Sequence, residues 1–173
     1  MKTKLMILLC LICVLFITGC GIKEEAPSVV DGYWKYTLLE DGTYSVGAAN
    51  KNDIPSRIEI PREYDGIAVT AITVNGFARC SGLRTVVIPD HFETIGEGAF
   101  YICENLQTVY IPNSVKSIDQ GAIGVCNSKQ TVTIYYDGTA AEWKRIFKAG
   151  NWADGTKCQI VCTDQSIDYD QSF

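Results

Sequence analysis

Residues 83–103 read LRTVVIPDHFETIGEGAFYIC, and two residues later residues 106–126 read LQTVYIPNSVKSIDQGAIGVC. At a spacing of twenty-three, Leu83, Thr85, Val86, Ile88, Pro89, Ile95, Gly98, Ala99 and Cys103 recur as Leu106, Thr108, Val109, Ile111, Pro112, Ile118, Gly121, Ala122 and Cys126. Average amino-acid usage would produce about one or two such identities in a window of this size. Nine therefore mark a structural repeat, in which one supersecondary unit buries its apolar face only by stacking on the next. Leu83, Val86 and Ile88 are predicted to point inward with their counterparts. Pro89 and Pro112 end their strands because proline has no amide hydrogen to continue a ladder. Asn75, Gly98 and Gly121 share a column, and Asn or Gly is what a left-handed backbone position selects.

The same spacing extends outward in both directions. Ile95, Phe100 and Cys103 lead back to Ile72, Phe77 and Cys80, and Phe92 leads back to Val69. Before them, Ile58-Glu59-Ile60-Pro61 reads as a first strand. Pro61 lies twenty-eight residues before Pro89, so this copy carries five extra residues around Tyr64-Asp65-Gly66, a loop insertion at a turn. In the forward direction, Val132-Thr133-Ile134 lies twenty-three residues after Val109-Tyr110-Ile111 and puts Tyr135 in the proline position. The ladder is expected to have at least four rungs.

The pattern Leu-x-x-Val-x-Ile-Pro followed by Ile-Gly-x-x-Ala-Phe-x-x-Cys resembles the leucine-rich repeats of bacterial surface proteins of the BspA type. The resemblance covers roughly residues 54–164. It is specific in residues 83–103 and looser in residues 106–126, where Ile123 replaces the usual Phe. It implies a mainly β fold, a short leucine-rich-repeat solenoid, and a surface-exposed adhesive or recognition role.

Capping elements flank the repeats. Residues 33–39 and 43–48 read as strands joined by Glu40-Asp41-Gly42, where Asp-Gly supplies the positive φ of a hairpin turn. Thr139-Ala140-Ala141-Glu142 is a capping box opening a helix. Trp143, Ile146 and Phe147 are expected on one face of that helix and Gly150 at its stop, with residues 158–162 forming a last strand. The resulting division is an N-terminal β-hairpin cap over 33–53, repeats over 54–128, a strand-helix-strand cap over 129–164, and an acidic tail over 165–173 that is expected to fray.

Residues 1–19 read as an export signal, with Lys2 and Lys4 preceding thirteen apolar residues from Leu5 to Ile17. As a helix, those thirteen residues reach roughly 20 Å, short of the roughly 30 Å hydrocarbon layer. Ile17-Thr18-Gly19-Cys20 resembles the lipobox of bacterial lipoproteins. By that resemblance the Cys20 thiol receives a diacylglyceryl group, and residues 20–32 become a tether from the membrane, facing outside the cell. Without the first nineteen residues the chain carries 13 basic and 20 acidic side chains, a formal net charge of −7. No basic cluster interrupts that balance, which argues against a nucleic-acid partner.

Little in the sequence suggests chemistry. His91 stands alone at a strand exit, where a loop side chain in water is the simpler reading, and no second group is in view to orient it as a base. Of eight cysteines, Cys10 and Cys13 would leave with the signal, and Cys20 would be lipidated by the lipobox resemblance. Cys80, Cys103 and Cys126 occupy one repeat column as small buried hydrophobes. Cys158 and Cys162 lie about 13 Å apart along a strand, beyond disulfide reach. Free thiols are therefore expected. No CxxC pair suggests zinc, Asp168-Tyr169-Asp170 lacks the glycine and oxygens of a calcium loop, and Gly96-Glu97-Gly98 is a repeat turn. Neither a cofactor nor a metal is expected, nor an enzymatic activity.

Binding has better candidates in the residues between the inward positions of stacked strands. Glu59, Val87, Tyr110 and Thr133 are expected in one exposed column, and Arg57, Thr85, Thr108 and Thr131 in the other. An aromatic centre in polar surroundings suits recognition of a protein or a polysaccharide. The same columns also suit a β-branched sheet surface that serves packing alone. The expectation is a cell-surface lipoprotein that binds a protein or glycan in an adhesion-like role. The alternatives are a structural envelope lipoprotein without a specific ligand and an accessory subunit of an envelope complex.

Overall fold

A computed structural model of the chain describes residues 26–125 and 130–170. Residues 1–19, read above as an export signal, and the cysteines Cys20 and Cys126 lie outside the described residues. Within them the chain winds as a β-solenoid of about five turns, and successive windings lay one strand in each of two sheets.

The first sheet stacks β4 (Arg57–Glu59), β7 (Thr85–Val87), β9 (Thr108–Pro112), β11 (Thr131–Asp137) and β13 (Lys157–Val161) in parallel. It ends on antiparallel β14 (Ser166–Asp170). The second stacks β3 (Tyr44–Ala48), β6 (Ile67–Ile72), β8 (Thr94–Ile95), β10 (Ser117–Ile118) and β12 (Phe147–Lys148) in parallel. The antiparallel pair β2 (Trp34–Leu38) and β1 (Ser28–Asp31) extends its other edge.

The repeat columns meet between the sheets. Val86 and Val109 pair across β7 and β9, Ile72, Ile95 and Ile118 align across the second sheet, and all are buried. Phe77, Phe92 and Phe100 fill the space between, with Phe77 and Phe100 stacked at 5.7 Å. The turns form a ladder too. The Phe77 amide donates to Ala99 O at 2.8 Å and the Phe100 amide to Ala122 O at 2.9 Å, so turn backbone groups are satisfied as strand groups are. Asn75, Gly98 and Gly121 hold φ of 54°, 59° and 61° in this ladder, as their shared column predicts.

The five extra residues of the first copy form a hairpin of β5 (Glu63–Tyr64) with β6, turning through Asp65 and Gly66 at positive φ. His91 is bound to this hairpin and not free in water as expected. Its Nε2–H donates to the carbonyls of Arg62 and Val69, each at 3.1 Å, while Asp90 beside it pairs with the Arg62 guanidinium. The histidine is thus a strap holding the insertion against the next winding.

Other expectations change. Residues 28–31, assigned to the tether, pair as β1 with β2. Residues 166–170, assigned to a frayed tail, pair as β14 with β13. Tyr169 holds them there because its ring lies 4.9 Å from that of Trp152, which meets Trp143 at 5.8 Å. Helix α1 (Ala140–Arg145) does open on the capping box: the Glu142 amide donates to Thr139 Oγ1, and the Thr139 amide donates to Glu142 Oε2 at 2.7 Å. It stops before Ile146 and not at Gly150, and Phe147 leaves the helix face for β12, where it is 66% exposed. Lys148 completes the end, donating to Ile146 O at 3.0 Å with its ammonium 4.8 Å from the Trp143 ring centroid.

Candidate interaction face

Residues of β4, β7, β9, β11 and β13 that do not point inward form one flat exposed face, because side chains alternate along a strand. In the column nearest the strand starts, Arg57, Thr85, Thr108, Thr133 and Gln159 stand side by side. The next column holds Glu59, Val87, Tyr110, Tyr135 and Val161. Thr131 lies one position further out, opposite Lys157.

This arrangement corrects the last rung. Thr133 pairs with Thr108 and not with Tyr110, and Tyr135 pairs with Tyr110 instead of standing in the proline position. Twenty-five residues separate Thr108 from Thr133, so this winding is two residues longer than the one before it, from Thr85 to Thr108. The extra residues fall between Gly124 and Thr131, because the turn ladder is still in phase where the Ile102 amide donates to Gly124 O. A slip of two leaves Val132, Ile134 and Tyr136 all inside, where a slip of one would have turned them to solvent. Arg57, Thr85, Thr108, Glu59, Val87 and Tyr110 lie where their spacing predicts.

The slip brings two aromatic rings together. Tyr110 and Tyr135 stack with centroids 5.0 Å apart and planes 14° from parallel, and they remain 38% and 42% exposed. Beyond them, at the strand exits, a groove of about 450 Å³ runs over Ile88, Ile111 and Pro112 to Val161, Cys162 and Thr163. Its charged lining consists of Asp90 and Asp137. Tyr136 lies under it with its ring 5.2 Å from that of Trp143, and Gly138 permits this: a Cβ there would stand 2.6 Å from the Tyr136 ring.

Electrostatics at the groove are anionic. The Arg62 guanidinium donating to Asp90 holds that carboxyl below the usual range. Burial, followed by the charges of Glu142, Cys162 and Asp137, raises the Tyr136 hydroxyl. Burial, reinforced by Asp164, raises the Cys162 thiol. Elsewhere in the core, burial pushes Cys80 up to about 11, and Cys103 and Cys158 up to about 12, so these thiols are held protonated. Cys103 also donates its S–H to Phe77 O at 3.0 Å. All four described cysteines are free.

Tyr135, Asp137 and Asp90 are the groove residues that period counting misses. The tyrosine was legible only as an outward position of an alternating strand, and its neighbour depended on a register the pattern leaves open. Among the described residues, no group of three or more His, Cys, Asp and Glu gathers as a metal site would require. Among the same residues, no helix is long and apolar enough to cross a membrane.

Comparison with known proteins agrees with the fold. Residues 53–147 match the model of the BspA type leucine rich repeat region, in six copies. No curated protein matches the sequence. Among solved structures, a leucine-rich repeat protein of T. pallidum superposes with a TM-score of 0.52 at 19% identity, over 66% of this chain and 56% of its own. A leucine-rich repeat protein of Bacteroides ovatus superposes with a TM-score of 0.53 at 23% identity, over 76% of this chain and 33% of its own. The chain thus spans about half of one neighbour and a third of the other, and at these identities the likeness is one of fold. No enzymatic family is indicated.

Proposed function

Since the chain belongs to the BspA-type leucine-rich-repeat family, we propose that it is a non-catalytic recognition module, carried outside the cell on a lipid at Cys20, that binds a protein or glycan partner in an adhesion-like role. The observation that carries this reading is the stacked pair Tyr110 and Tyr135, exposed in the middle of a sheet face whose other residues are threonines, valines and the longer polar side chains Arg57, Glu59 and Gln159. Water-exposed aromatic area on a preordered surface binds at low entropic cost, because few rotamers are lost on contact. Glu59, Arg57, Thr85, Thr108 and Thr133 supply a polar rim around the pair, and Val87 extends its apolar contact. Thr131 lies at its outer margin.

The proposed anchoring rests on the likeness of Ile17-Thr18-Gly19-Cys20 to a lipobox. Two or three acyl chains on Cys20 hold a protein stably at a bilayer, where one chain holds it marginally. β1 begins at Ser28, so seven residues separate Cys20 from the folded unit, which keeps the module close to the surface that bears it.

Bacteria expressing the wild-type chain should adhere to an array of host matrix proteins and wall glycans more strongly than cells lacking it. The double variant Tyr110→Ala/Tyr135→Ala, displayed at equal density, should lose most of that difference. Equal adhesion by all three strains would refute the recognition role and favour a structural envelope protein.

A further inference from the structure

Resting on that reading, we infer that the groove beside Tyr110 and Tyr135 takes an arginine- or lysine-bearing segment of a protein partner. Two features select that chemistry. The charges lining the groove are carboxylates, with no Lys, Arg or His among the lining residues. One of them, Asp90, is already engaged by Arg62, which leaves Asp137 as the carboxylate without an ion pair among the described residues. Asp137 is exposed at the end of β11, opposite Pro112 and two residues beyond Tyr135. A cation entering over Ile111 and Pro112 therefore meets the tyrosines on one side and Asp137 on the other.

The two kinds of group act together on a cation. An aromatic ring attracts positive charge through its quadrupole, and a carboxylate accepts a guanidinium in paired hydrogen bonds. The flanking charges reinforce this field. Glu142 in the first turn of α1 and Asp164 just past β13 lie near the exit, where Glu142 accepts from Thr139 and Asp164 accepts from the Ala140 amide at 2.8 Å. The whole chain has a formal net charge of −5, which draws basic partners at long range.

The ring geometry argues against a neutral sugar in the same place. Each tyrosine covers one face of the other, which halves the flat ring area open to a pyranose. The phenolic oxygens add acceptors for a cation's N–H groups. The apolar lining of Ile88, Ile111 and Val161 suits the methylene stem behind a charged head.

The test uses the full chain held in a nonionic detergent, with binding read by biolayer interferometry. The probes are an acetylated, amidated peptide of alternating glycine and arginine, the same peptide with neutral citrulline in place of arginine, and N-acetylchitohexaose. The arginine peptide should bind, and binding should weaken as salt rises from about 50 to about 500 mM. Citrulline replacement, Asp137→Asn and Tyr135→Leu should each weaken it about fivefold or more, while Thr94→Ala on the opposite sheet should leave it unchanged. Both site variants should keep the wild-type circular dichroism spectrum, with Asp137→Asn melting close to wild type and Tyr135→Leu within about 4 °C of it. Equal binding of the citrulline peptide, or full binding by Asp137→Asn, would overturn the inference. Binding of the chitohexaose alone, lost in Tyr135→Leu, would overturn it in favour of a glycan and leave the recognition role intact. Failure of every probe, with adhesion still dependent on Tyr110 and Tyr135, would also overturn the inference without touching that role.

Discussion

Tyr110 and Tyr135 occupy directly opposed positions on neighbouring parallel strands, and their rings lie 5.0 Å apart and nearly parallel. Exposed cross-strand aromatic pairs contribute about 0.5–1 kcal/mol beyond the separate side chains. A double-mutant cycle of Tyr110→Ala and Tyr135→Ala, followed by urea unfolding, should show a coupling of about that size. Strict additivity would mean that the rings do not stack in solution.

Gly98 is constrained both by its backbone angle and by a neighbouring side chain. Its φ is 59°, and a Cβ there would stand 2.4 Å from Asn75 Oδ1. Gly98→Val should cost about 2–3 kcal/mol, combining left-handed strain for a β-branched residue with displacement of the Asn75 amide. Gly82→Ala provides the contrast, since its added methyl would meet Ile54 O at an ordinary 3.5 Å, and its unfolding midpoint should hardly move.

The buried thiols make stability depend on alkaline pH. Burial raises Cys80 to about 11 and Cys103 and Cys158 to about 12, above the ordinary thiol value near 9.0. Between pH 9 and those values the unfolded chain releases thiol protons that the folded chain retains, so stability falls as pH rises. Each thiol contributes a slope of up to about 1.4 kcal/mol per pH unit in that window and almost none below it. Urea midpoints at pH 8 and pH 10 check this, and Cys103→Ala should show the smaller drop. Native iodoacetamide labelling at pH 8 should be slow at all three sites.

Tyr169 ties the C-terminal strand to the aromatic cap through Trp152. Tyr169→Ala should lower stability by about 1–2 kcal/mol and alter tryptophan emission, because the partly buried ring leaves Trp152 exposed. Unchanged emission and midpoint would return residues 166–170 to the status of a tail.

Lipidation predicts that an alkyne fatty acid fed to the producing cells labels the wild-type chain and not Cys20→Ala. Label on both chains would place any acyl group elsewhere.

Much of the fold was legible because a repeat shows each inward position several times over. Val86 and Val109, Phe77 and Phe100, and the column of Asn75, Gly98 and Gly121 all stand as their spacing predicts. The register of β11 was not legible, since Val132, Ile134 and Tyr136 stay buried in either of two pairings that differ by two residues. The edge strands β1 and β14 were missed for a different reason. Their short, polar or acidic sequences carry little apolar pattern, and pairing with β2 and β13 is what orders them. His91 looked idle because both of its acceptors are backbone carbonyls of an inserted hairpin, which leave no trace in side-chain identity. The site shared the uncertainty of β11: Tyr110 could be chosen by its exposure, but Tyr135 and Asp137 entered only once the strand was in place.

The account turns on which sheet meets the partner. A photo-cross-linking residue placed at Thr108, on the face that carries Tyr110, or at Thr94, on the opposite sheet, tests this on intact cells. The account predicts a covalent adduct of defined mass from position 108 that disappears with Tyr110→Ala/Tyr135→Ala, and no such adduct from position 94. An adduct from position 94 alone, or from position 108 irrespective of the tyrosines, would contradict it.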